Sequence, residues 1–529
     1  MELIHQLLLQ RADEMPRQEA LAYQAVCLDY GDLGAQVVSC AAALLSQGLG
    51  RSERVAVYME KRIETVVAMF GAAAAGGVFV PVNPLLKPDQ VAYILKDCNV
   101  RILVTSAERL KLLAPVLREC EDLQTLVVVG RATGSADAPP GLTTIDWVAA
   151  MSVSGDAKPH RVIDTDMAAI LYTSGSTGKP KGVVLSHRNM VAGAQSVAQY
   201  LENRPSDRIL SALPLSFDAG FSQLSTAFHV GARVTLINYL MPRDVLDAVV
   251  QDRITGLTAV PALWIQLAQL KWPPAVTDHL RYIANTGGHM PKATLDRLRT
   301  ALPKTLPFLM YGLTESFRST YLPPSEIDHR PDSIGKAIPN AEVLVVREDG
   351  TPCAPGEPGE LVHRGALVSM GYWNDAEKTA ERFKPMPNQQ AGLVMPEMAV
   401  WSGDTVRTDE DGYIYFIARR DEMIKSSGYR ISPTEVEEIV YATGLVAETA
   451  ALGIPHPTLG QVVVVVATPR AGADLDTDRL LAECRLRLPA FMVPALIRQH
   501  AGNLPRNPNG KIDRKLMGQE MQDLFETKS

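Results

Sequence analysis

At 529 residues the chain is too long for one ordinary domain, and a hydrophobic content of 46% is ample for sizeable cores, so a large domain with at least one smaller one is expected. A formal net charge of −7, with lysines and arginines scattered, gives no broad basic footprint for nucleic acid and favours small-molecule chemistry. Six widely spaced cysteines, without a CxxC pair or a histidine cluster at metal-ligand spacing, read as buried or incidental thiols of a reducing cytoplasm.

The N-terminus, MELIHQLLLQRADEMP, has apolar residues at helical spacing, but Glu2, His5 and Gln6 interrupt any signal-peptide core, so no secretion is expected. From there to about residue 130, helical patterns at 30–49 and 62–75 alternate with β-rich runs at 54–58, 78–82, 101–105 and 123–129. Alternation at this spacing predicts a parallel α/β architecture with helices covering the sheet. The most apolar stretch, 66–82, is mostly alanine and glycine and is split by Gly76 and Gly77, which predicts a buried helix running into a buried strand and no membrane span. Residues 132–140, ATGSADAPP, read as a surface loop, and 145–151 as helix.

The stretch 172–182, YTSGSTGKPKG, follows the hydrophobic run 167–171. Gly175, Gly178 and Gly182, the hydroxyls between the first two, and Lys179 and Lys181 make a loop rich in backbone donors and positive charge, suited to an oxyanion cluster. It is not the Walker pattern, because only Ser176 and Thr177 separate Gly175 from Gly178, and Pro180 follows Lys179 where Ser or Thr would be needed. The plain alternative is a polar hairpin turn between two strands.

Helix is then predicted near 188–200, with strands near 209–213, 233–236 and 255–260, as a second α/β half of the same large domain. Beyond residue 340 short strands and turns (EVLVV, GELVHRG, GYIYF) suggest a β subdomain, and RRDEMIK at 419–425 reads as a hinge or linker. The remainder, with helices near 433–441 and 477–487 and strands near 449–452 and 462–468, predicts a compact α+β domain. The domains expected are 1–420 and 421–529.

Three further motifs have chemistry to offer. In YGLTES, Tyr311 can stack on a base, Thr314 can reach a phosphate and Glu315 can hold Mg²⁺, although the sequence is also a common turn. In SGD, Asp404 is placed to accept from ribose hydroxyls, or simply ends a strand. Lys511 follows a glycine on a loop as a mobile cation for a negatively charged transition state, or as a solvated surface charge.

Taken together and in order, YTSGSTGKPKG, YGLTES, SGD, RRDEMIKSSGYRISPTEVEE and NPNGKIDRK closely resemble the AMP-forming adenylating superfamily of acyl- and aryl-CoA synthetases, peptide-synthetase adenylation domains and luciferases. That resemblance implies a large N-terminal domain of two α/β subdomains and a β subdomain, a small C-terminal lid that rotates, and ATP with Mg²⁺ as cofactors. It implies two half-reactions: a substrate carboxylate attacks the α-phosphorus of ATP to give an acyl-adenylate and pyrophosphate, and a thiol then displaces AMP to give a thioester. Since the substrate carboxylate is the nucleophile, no enzyme nucleophile is needed and none is apparent. By matching motifs, Thr173, Ser174, Gly175, Ser176, Thr177, Gly178, Lys179 and Lys181 would hold the β- and γ-phosphates, with Gly287 also on the nucleotide. Tyr311 would take the adenine, Thr314 the α-phosphate, Glu315 the Mg²⁺, and Asp404 with Arg419 the ribose. Lys511 would bridge carboxylate and phosphate oxygens in the first step only; Asp421 would be the hinge, and Gly428 would lie on the segment lining the thiol's tunnel.

The choice of acid turns on LPLSFDAGFSQL, 213–224. The Phe217-Asp218 pair resembles that of amino-acid-activating adenylation domains, whose Asp receives the α-ammonium of the substrate. A carboxylate in an acid-binding pocket needs a cation to pair with. The alternative is that Asp218 caps the following helix through the Gly220 or Phe221 N–H. The rest of the pocket, by the same resemblance, would be Ala219, Ser222, Thr258, Ala284, Thr286, Met310, Arg318 and Ser319. Small and polar linings imply a modest acid, with proline, alanine or glycine preferred; Arg318 either points away or binds a second acidic group. The short tail after Lys511 leaves no room for a fused carrier domain, so the thiol is expected from a discrete carrier protein's phosphopantetheine arm or from coenzyme A, between which 425–430 does not discriminate. Three readings follow: a stand-alone amino-acid ligase loading a carrier protein, an acyl-CoA ligase for a small or aromatic acid, and a nucleotide-binding protein that has lost catalysis. Nucleic-acid and membrane partners are not expected.

Overall fold

In the computed structural model the described residues are 2–130, 141–152, 158–173, 180–387, 389, 392, 394–419, 422–426, 429–456, 459–507 and 510–525. Three sheets organise them. The first has seven strands, in the order Thr143–Asp146, Thr125–Val129, Val100–Ser106, Arg54–Tyr58, Val78–Pro81, Met167–Thr173 and Lys181–Ser186. All its neighbours are parallel except the last pair, which is antiparallel. The inner strands Thr125–Val129, Arg54–Tyr58 and Met167–Thr173 are largely apolar and buried, as a sheet covered on both faces requires, while the edge strand Thr143–Asp146 is largely exposed.

The second sheet has fourteen strands. Its parallel part runs Glu19–Tyr23, Arg233–Leu236, Arg208–Ser211, Gly256–Ala259, Tyr282–Asn285 and Leu306–Tyr311. Thr320–Leu322 and Ser333–Ala337 continue it antiparallel into Ile414–Arg419, Met398–Thr408, Gly359–Gly365 and Ala341–Val346. The β region expected beyond residue 340 is therefore the antiparallel flank of this same sheet, with its own small core around Leu361, Val406 and Ile414.

Two expectations change in detail. Glu19–Tyr23 belongs to the second sheet, pairing with Arg233–Leu236, so the two α/β halves are not consecutive in the chain. Residues expected as one helix at 145–151 divide into the strand Thr143–Asp146 and the helix Trp147–Met151, because Asp146 accepts from the Val148 and Ala149 N–H groups and caps the helix there.

The helices Tyr30–Ser46, Ile63–Ala75, His187–Tyr200 and Asp218–Val230 lie between the two sheets and share one core with both. Phe70 and Phe79 from the first half meet Phe221 and Phe228 of the Asp218 helix at ring-centroid distances of 5.1 to 5.7 Å. Each such pair adds about 0.5–1.5 kcal/mol beyond the apolar area it buries, so the helix that begins at Asp218 is anchored to both halves. Separate apolar clusters cover the outer faces, one under the helices Pro88–Asp97 and Ala107–Leu117, the other under Pro242–Gln251, Pro261–Leu267 and Lys292–Ala301.

The third sheet draws only on residues from 424 onward: Tyr429–Ile431, Ile424–Ser426, Gly460–Pro469 and Val446–His456, with Leu496–Gln499 beside Gly460–Pro469. It has its own core on each face, one formed with Pro433–Ala442 and Thr477–Arg487, the other with Arg514–Glu520. The apolar stretch at 66–82 is buried helix followed by buried strand, and among the described residues no helix is long and apolar enough to cross a membrane.

Candidate active site

The site lies where parallel strands of the second sheet end, the crevice in which open α/β sheets hold ligands. On one side, Met167–Thr173 and Lys181–Ser186 pair antiparallel with Thr173 opposite Lys181. The flanks of the glycine-rich stretch thus run as the hairpin considered above, while Ser174, Gly175, Ser176, Thr177, Gly178 and Lys179 lie outside the described residues. Tyr172 donates to Asp97 Oδ2 at 2.5 Å and is pushed above the usual phenol range, first by burial and then by Cys98 and Asp97. The Lys181 ammonium sits 5.4 Å from the centroid of the Tyr372 ring, and the Tyr372 hydroxyl donates to Glu315 Oε1 at 2.5 Å. Lys181 and Glu315, distant in sequence, therefore flank one tyrosine.

Tyr311 ends the strand Leu306–Tyr311 and donates its hydroxyl to Asp404 Oδ2. Burial, and then the Asp404 charge, hold that phenol well above its ordinary pKa, so it stays a donor. Asp404 and Arg419 are cross-strand partners, and Arg419 Nε donates to Asp404 Oδ1 at 3.1 Å. A buried carboxylate with charge-assisted partners is fixed in position. The residues expected at adenine and ribose thus form one hydrogen-bonded group.

After Tyr311 the chain makes a short 3₁₀ turn, Thr314–Ser316, followed by Phe317 at φ +56°. A non-glycine residue in this left-handed region is strained, and the packing around it has to hold it there. The ring of Phe317 fills the space a side chain on Gly193 would need, a Cβ there lying 2.3 Å from Phe317 Cδ1. The turn delivers Arg318 into the interior, only 2% exposed.

Arg318 Nη1 donates to Asp218 Oδ2 at 2.8 Å and to the Phe317 carbonyl at 3.0 Å, while Thr314 Oγ1 donates to Asp218 Oδ1 at 3.3 Å. Asp218 does not cap its helix: Phe217 is the N-cap residue and no side-chain cap bond is made, so the capping alternative is set aside. Neither alternative weighed for Arg318 describes what is seen: its guanidinium pairs with Asp218 within the chain. A cavity of about 20 Å³ adjoins it, lined by Ala219, Ser222, Thr258, Met310 and Arg318 among the expected pocket residues. Ala284, Thr286 and Ser319 are not in its lining; Ser319 instead hydrogen-bonds Ser316 at 3.0 Å and His363 at 3.1 Å. Asn203, Gln223, Thr226 and Tyr282 complete its polar wall, which motif reading missed. A wider depression of about 470 Å³ opens at the opposite end of Leu306–Tyr311 and carries none of the expected residues.

Reading from the sequence also missed what braces Asp218. Lys61 Nζ donates to the carbonyls of Ser211, Ala212 and Leu213 at 2.7, 3.0 and 3.3 Å, just before the 214–217 turn. Burial pushes its pKa down to about 7, although three carbonyls matching three ammonium donors favour the charged form. Gln223 bridges from the Asp218 helix to the Leu213 N–H and the Leu210 carbonyl. Gly220 lets the turn press on the helix so closely that a Cβ there would lie 1.8 Å from the Pro214 carbonyl oxygen.

Lys511 closes the site from the third sheet's side. Its backbone exchanges hydrogen bonds with Asn507, and its Cε lies 3.9 Å from where a Cβ on Gly287 would stand. The ammonium is lowered from the usual lysine value first by desolvation against the cleft walls and then by Arg419, with Asp218, Asp404 and Glu422 acting in the opposite direction. Lys511, Asp218, Asp404 and Arg419 therefore share one electrostatic neighbourhood. Asp421 and Gly428 lie outside the described residues. All six cysteines are free; Cys27 is exposed, Cys353 is half-buried and the other four are buried, with Cys40 pushed up to about 12 by burial. None is activated as a nucleophile.

Comparison with known proteins agrees with this geometry. Feruloyl-CoA synthase of Amycolatopsis is 30% identical over 95% of this chain and 96% of its own length. L-proline--[L-prolyl-carrier protein] ligase of Pseudomonas fluorescens is 30% identical over 99% of this chain and 100% of its own. The chain spans only 14% of tyrocidine synthase 2 and 8% of tyrocidine synthase 3 from Brevibacillus parabrevis, at 30% and 29% identity. ATP-bound MatB from Rhodopseudomonas palustris superposes with a TM-score of 0.85 at 24% identity, covering 99% of this chain and 100% of that one, a likeness of fold. Residues 8–373 match the AMP-binding enzyme family and residues 435–511 its C-terminal domain, and with the full-length relatives these matches establish that the chain belongs to the AMP-binding enzyme family.

Proposed function

We propose that this AMP-binding enzyme is an ATP-dependent acid–thiol ligase that adenylates a small amino acid and passes it to the phosphopantetheine thiol of a discrete carrier protein. The observation that carries the reading is the convergence of Lys511, Asp218, Asp404 and Arg419, from four separate segments, on one cleft. In the first half-reaction a carboxylate oxygen of the acid attacks the α-phosphorus of ATP, the new O–P bond forms, and the bond to pyrophosphate breaks. Nothing on the enzyme is consumed, so catalysis rests on alignment and charge neutralisation. Asp404, held by Tyr311 and Arg419, is oriented for ribose hydroxyls. Thr314 and Lys511 supply a hydroxyl and an ammonium for the oxygens around phosphorus. The second half-reaction, with Asp421 as the hinge between domains 1–420 and 421–529 and Gly428 lining the thiol's path, would exchange Lys511 for the thiol.

Magnesium fits the site as a partner of the phosphates. Among the described residues no group of three or more His, Cys, Asp or Glu side chains could hold a metal alone; this ion commonly uses one or two carboxylates plus phosphate and water oxygens. Glu315, oriented by Tyr372, would be that carboxylate. The ion supplies neutralisation of the phosphate charge. The predominantly buried free thiols fit a reducing cytoplasm.

A second reading, a coenzyme A ligase for a small or aromatic carboxylic acid, is favoured by one observation: Arg318 already neutralises Asp218, so the pocket does not demand an amine. ATP–pyrophosphate exchange over a panel of amino acids and amine-free acids separates the two. Exchange confined to acids without an amine sinks the amino-acid reading.

A further inference from the structure

The Asp218–Arg318 pair bears directly on which acid can enter. Arg318 is buried and Asp218 partly so, at 3% and 14% side-chain exposure, and the pair touches Thr314, so it borders the place of the reacting carboxylate. Arg318 spends Nη1 on Asp218 and a carbonyl, yet its Nε is buried with no hydrogen-bond partner. A buried guanidinium donor left unpaired is costly, and such an atom awaits an acceptor. With the pair closed, the adjoining cavity of about 20 Å³ holds little more than a water. Arg318 lines that cavity, so a side chain entering it meets the guanidinium.

We infer that the acid activated is an amino acid bearing a second carboxylate, of the aspartate or glutamate class, whose two opposite charges replace the internal pair. This rests on the amino-acid reading above. Parting a buried ion pair strands whichever member finds no new partner. A neutral amino acid answers Asp218 with its ammonium but leaves Arg318 only the neutral Phe317 carbonyl and Tyr200 hydroxyl, with no opposite charge. A dicarboxylic acid without an amine answers Arg318 and strands Asp218. An acidic amino acid answers both: the ammonium goes to Asp218, the non-reacting carboxylate goes to the fork of Arg318, Nε included, and the remaining carboxylate attacks phosphorus. The hydroxyls of Ser222, Thr226 and Thr258 in the cavity wall suit a carboxylate better than an alkyl chain. On this inference proline, alanine and glycine are disfavoured, because none of them offers Arg318 a charge in place of Asp218.

The test is pyrophosphate exchange by the full chain with L-aspartate and L-glutamate, their isosteric amides asparagine and glutamine, succinate and glutarate as amine-free analogues, and proline, alanine, glycine and benzoate. The expected result is that an acidic amino acid exceeds its own amide and its amine-free analogue by about 100-fold or more in kcat/KM. Arg318→Leu should erase the preference over the amide, and Arg318→Lys, which keeps the charge, should retain part of it. A folded Arg318→Leu that keeps the preference overturns the assignment; should that variant not fold, the wild-type panel still decides. Neutral amino acids exchanging as well as acidic ones overturn this inference and leave the amino-acid reading standing. Exchange only with amine-free acids overturns both, and exchange with no acid in the panel overturns the inference.

Discussion

His289, just beyond the strand Tyr282–Asn285, is hydrogen-bonded through Nε2 to Glu438 on the helix Pro433–Ala442, which belongs to the third sheet's core. This contact ties the body carrying Asp218 to the part carrying Lys511. Burial pulls the imidazole pKa down, but Glu438, helped by Asp332 and Glu437, outweighs it and raises the value above 6.5. A raised pKa means the charged bond is fully present below the ordinary histidine value and is lost as pH rises through the folded one. His289→Asn should therefore slow pyrophosphate exchange about 2- to 5-fold near pH 6, as expected of a partly exposed pair, and hardly at all near pH 9. Equal slowing at both pH values would remove the ionic role.

The Lys511 ammonium shares one electrostatic neighbourhood with Asp218, Asp404 and Arg419. Lys511→Ala should lower adenylate formation by about 100- to 1,000-fold, the scale of losing one transition-state donor, while sparing thioester formation from added acyl-adenylate. Because its pKa lies below the ordinary lysine value, adenylation should also decline with rising pH earlier than a free lysine would require. Equal loss of both half-reactions in the variant would contradict a role confined to the first.

Much of this arrangement was legible in the residues, for a local reason. Tyr311 and Arg419 end their strands, Lys511 stands on a turn and Asp404 follows the positive-φ Gly403 within the strand Met398–Thr408, geometry that a few neighbouring residues determine, so their motifs carry it. The partners that compensate charge were not legible. Arg318 and Asp218 are 100 positions apart, His289 and Glu438 are 149 apart, and Lys61 reaches Ser211 across 150. In MEKRIE, Lys61 reads as one surface charge among several, and nothing in its neighbours marks the carbonyls it meets. The strand Glu19–Tyr23 escaped notice likewise, since its pairing with Arg233–Leu236 depends on the other half of the domain.

Asp404 accepts from both Tyr311 and Arg419, so its removal should loosen the whole nucleotide side. Asp404→Ala should raise the KM for ATP about 10- to 100-fold, the loss of one or two charge-assisted hydrogen bonds, with the KM for the acid much less affected. Parallel increases in both constants would mean a general collapse of the cleft.

Gly220 tests whether the 214–217 turn positions Asp218. A Cβ there would sit 1.8 Å from the Pro214 oxygen and 2.5 Å from its carbonyl carbon, backbone atoms that cannot swing aside. Gly220→Ala should cost about 1–3 kcal/mol through overpacking, more than the roughly 1 kcal/mol that alanine gains in a helix. It should raise the KM for the acid at least about 10-fold, since the displaced turn carries Asp218 with it. Gly518, in the helix Arg514–Glu520 with no atom within 4 Å of its would-be Cβ, is the control, and Gly518→Ala should be neutral or slightly stabilising. A Gly220→Ala protein with unchanged stability and acid KM would show that the turn does not set the pocket.

Two fully buried histidines, His187 and His363, should contribute to the acid sensitivity of the fold. His187 accepts from the Ile4 N–H through Nδ1, and burial first, then His5, hold its pKa down from 6.5 to about 4. His363, facing Ser319 beside the active-site turn, is likewise held down to about 4 by burial. A base with a depressed folded pKa binds its proton more weakly when folded, so the stability it contributes is complete above pH 6.5 and lost as pH falls through about 4. Each should cost on the order of a few kcal/mol across that window. Denaturant midpoints measured from pH 7 to pH 4 should therefore fall steeply in the wild type and less steeply in His363→Gln, which cannot take up the charge. Identical pH slopes for the two proteins would place the acid sensitivity elsewhere.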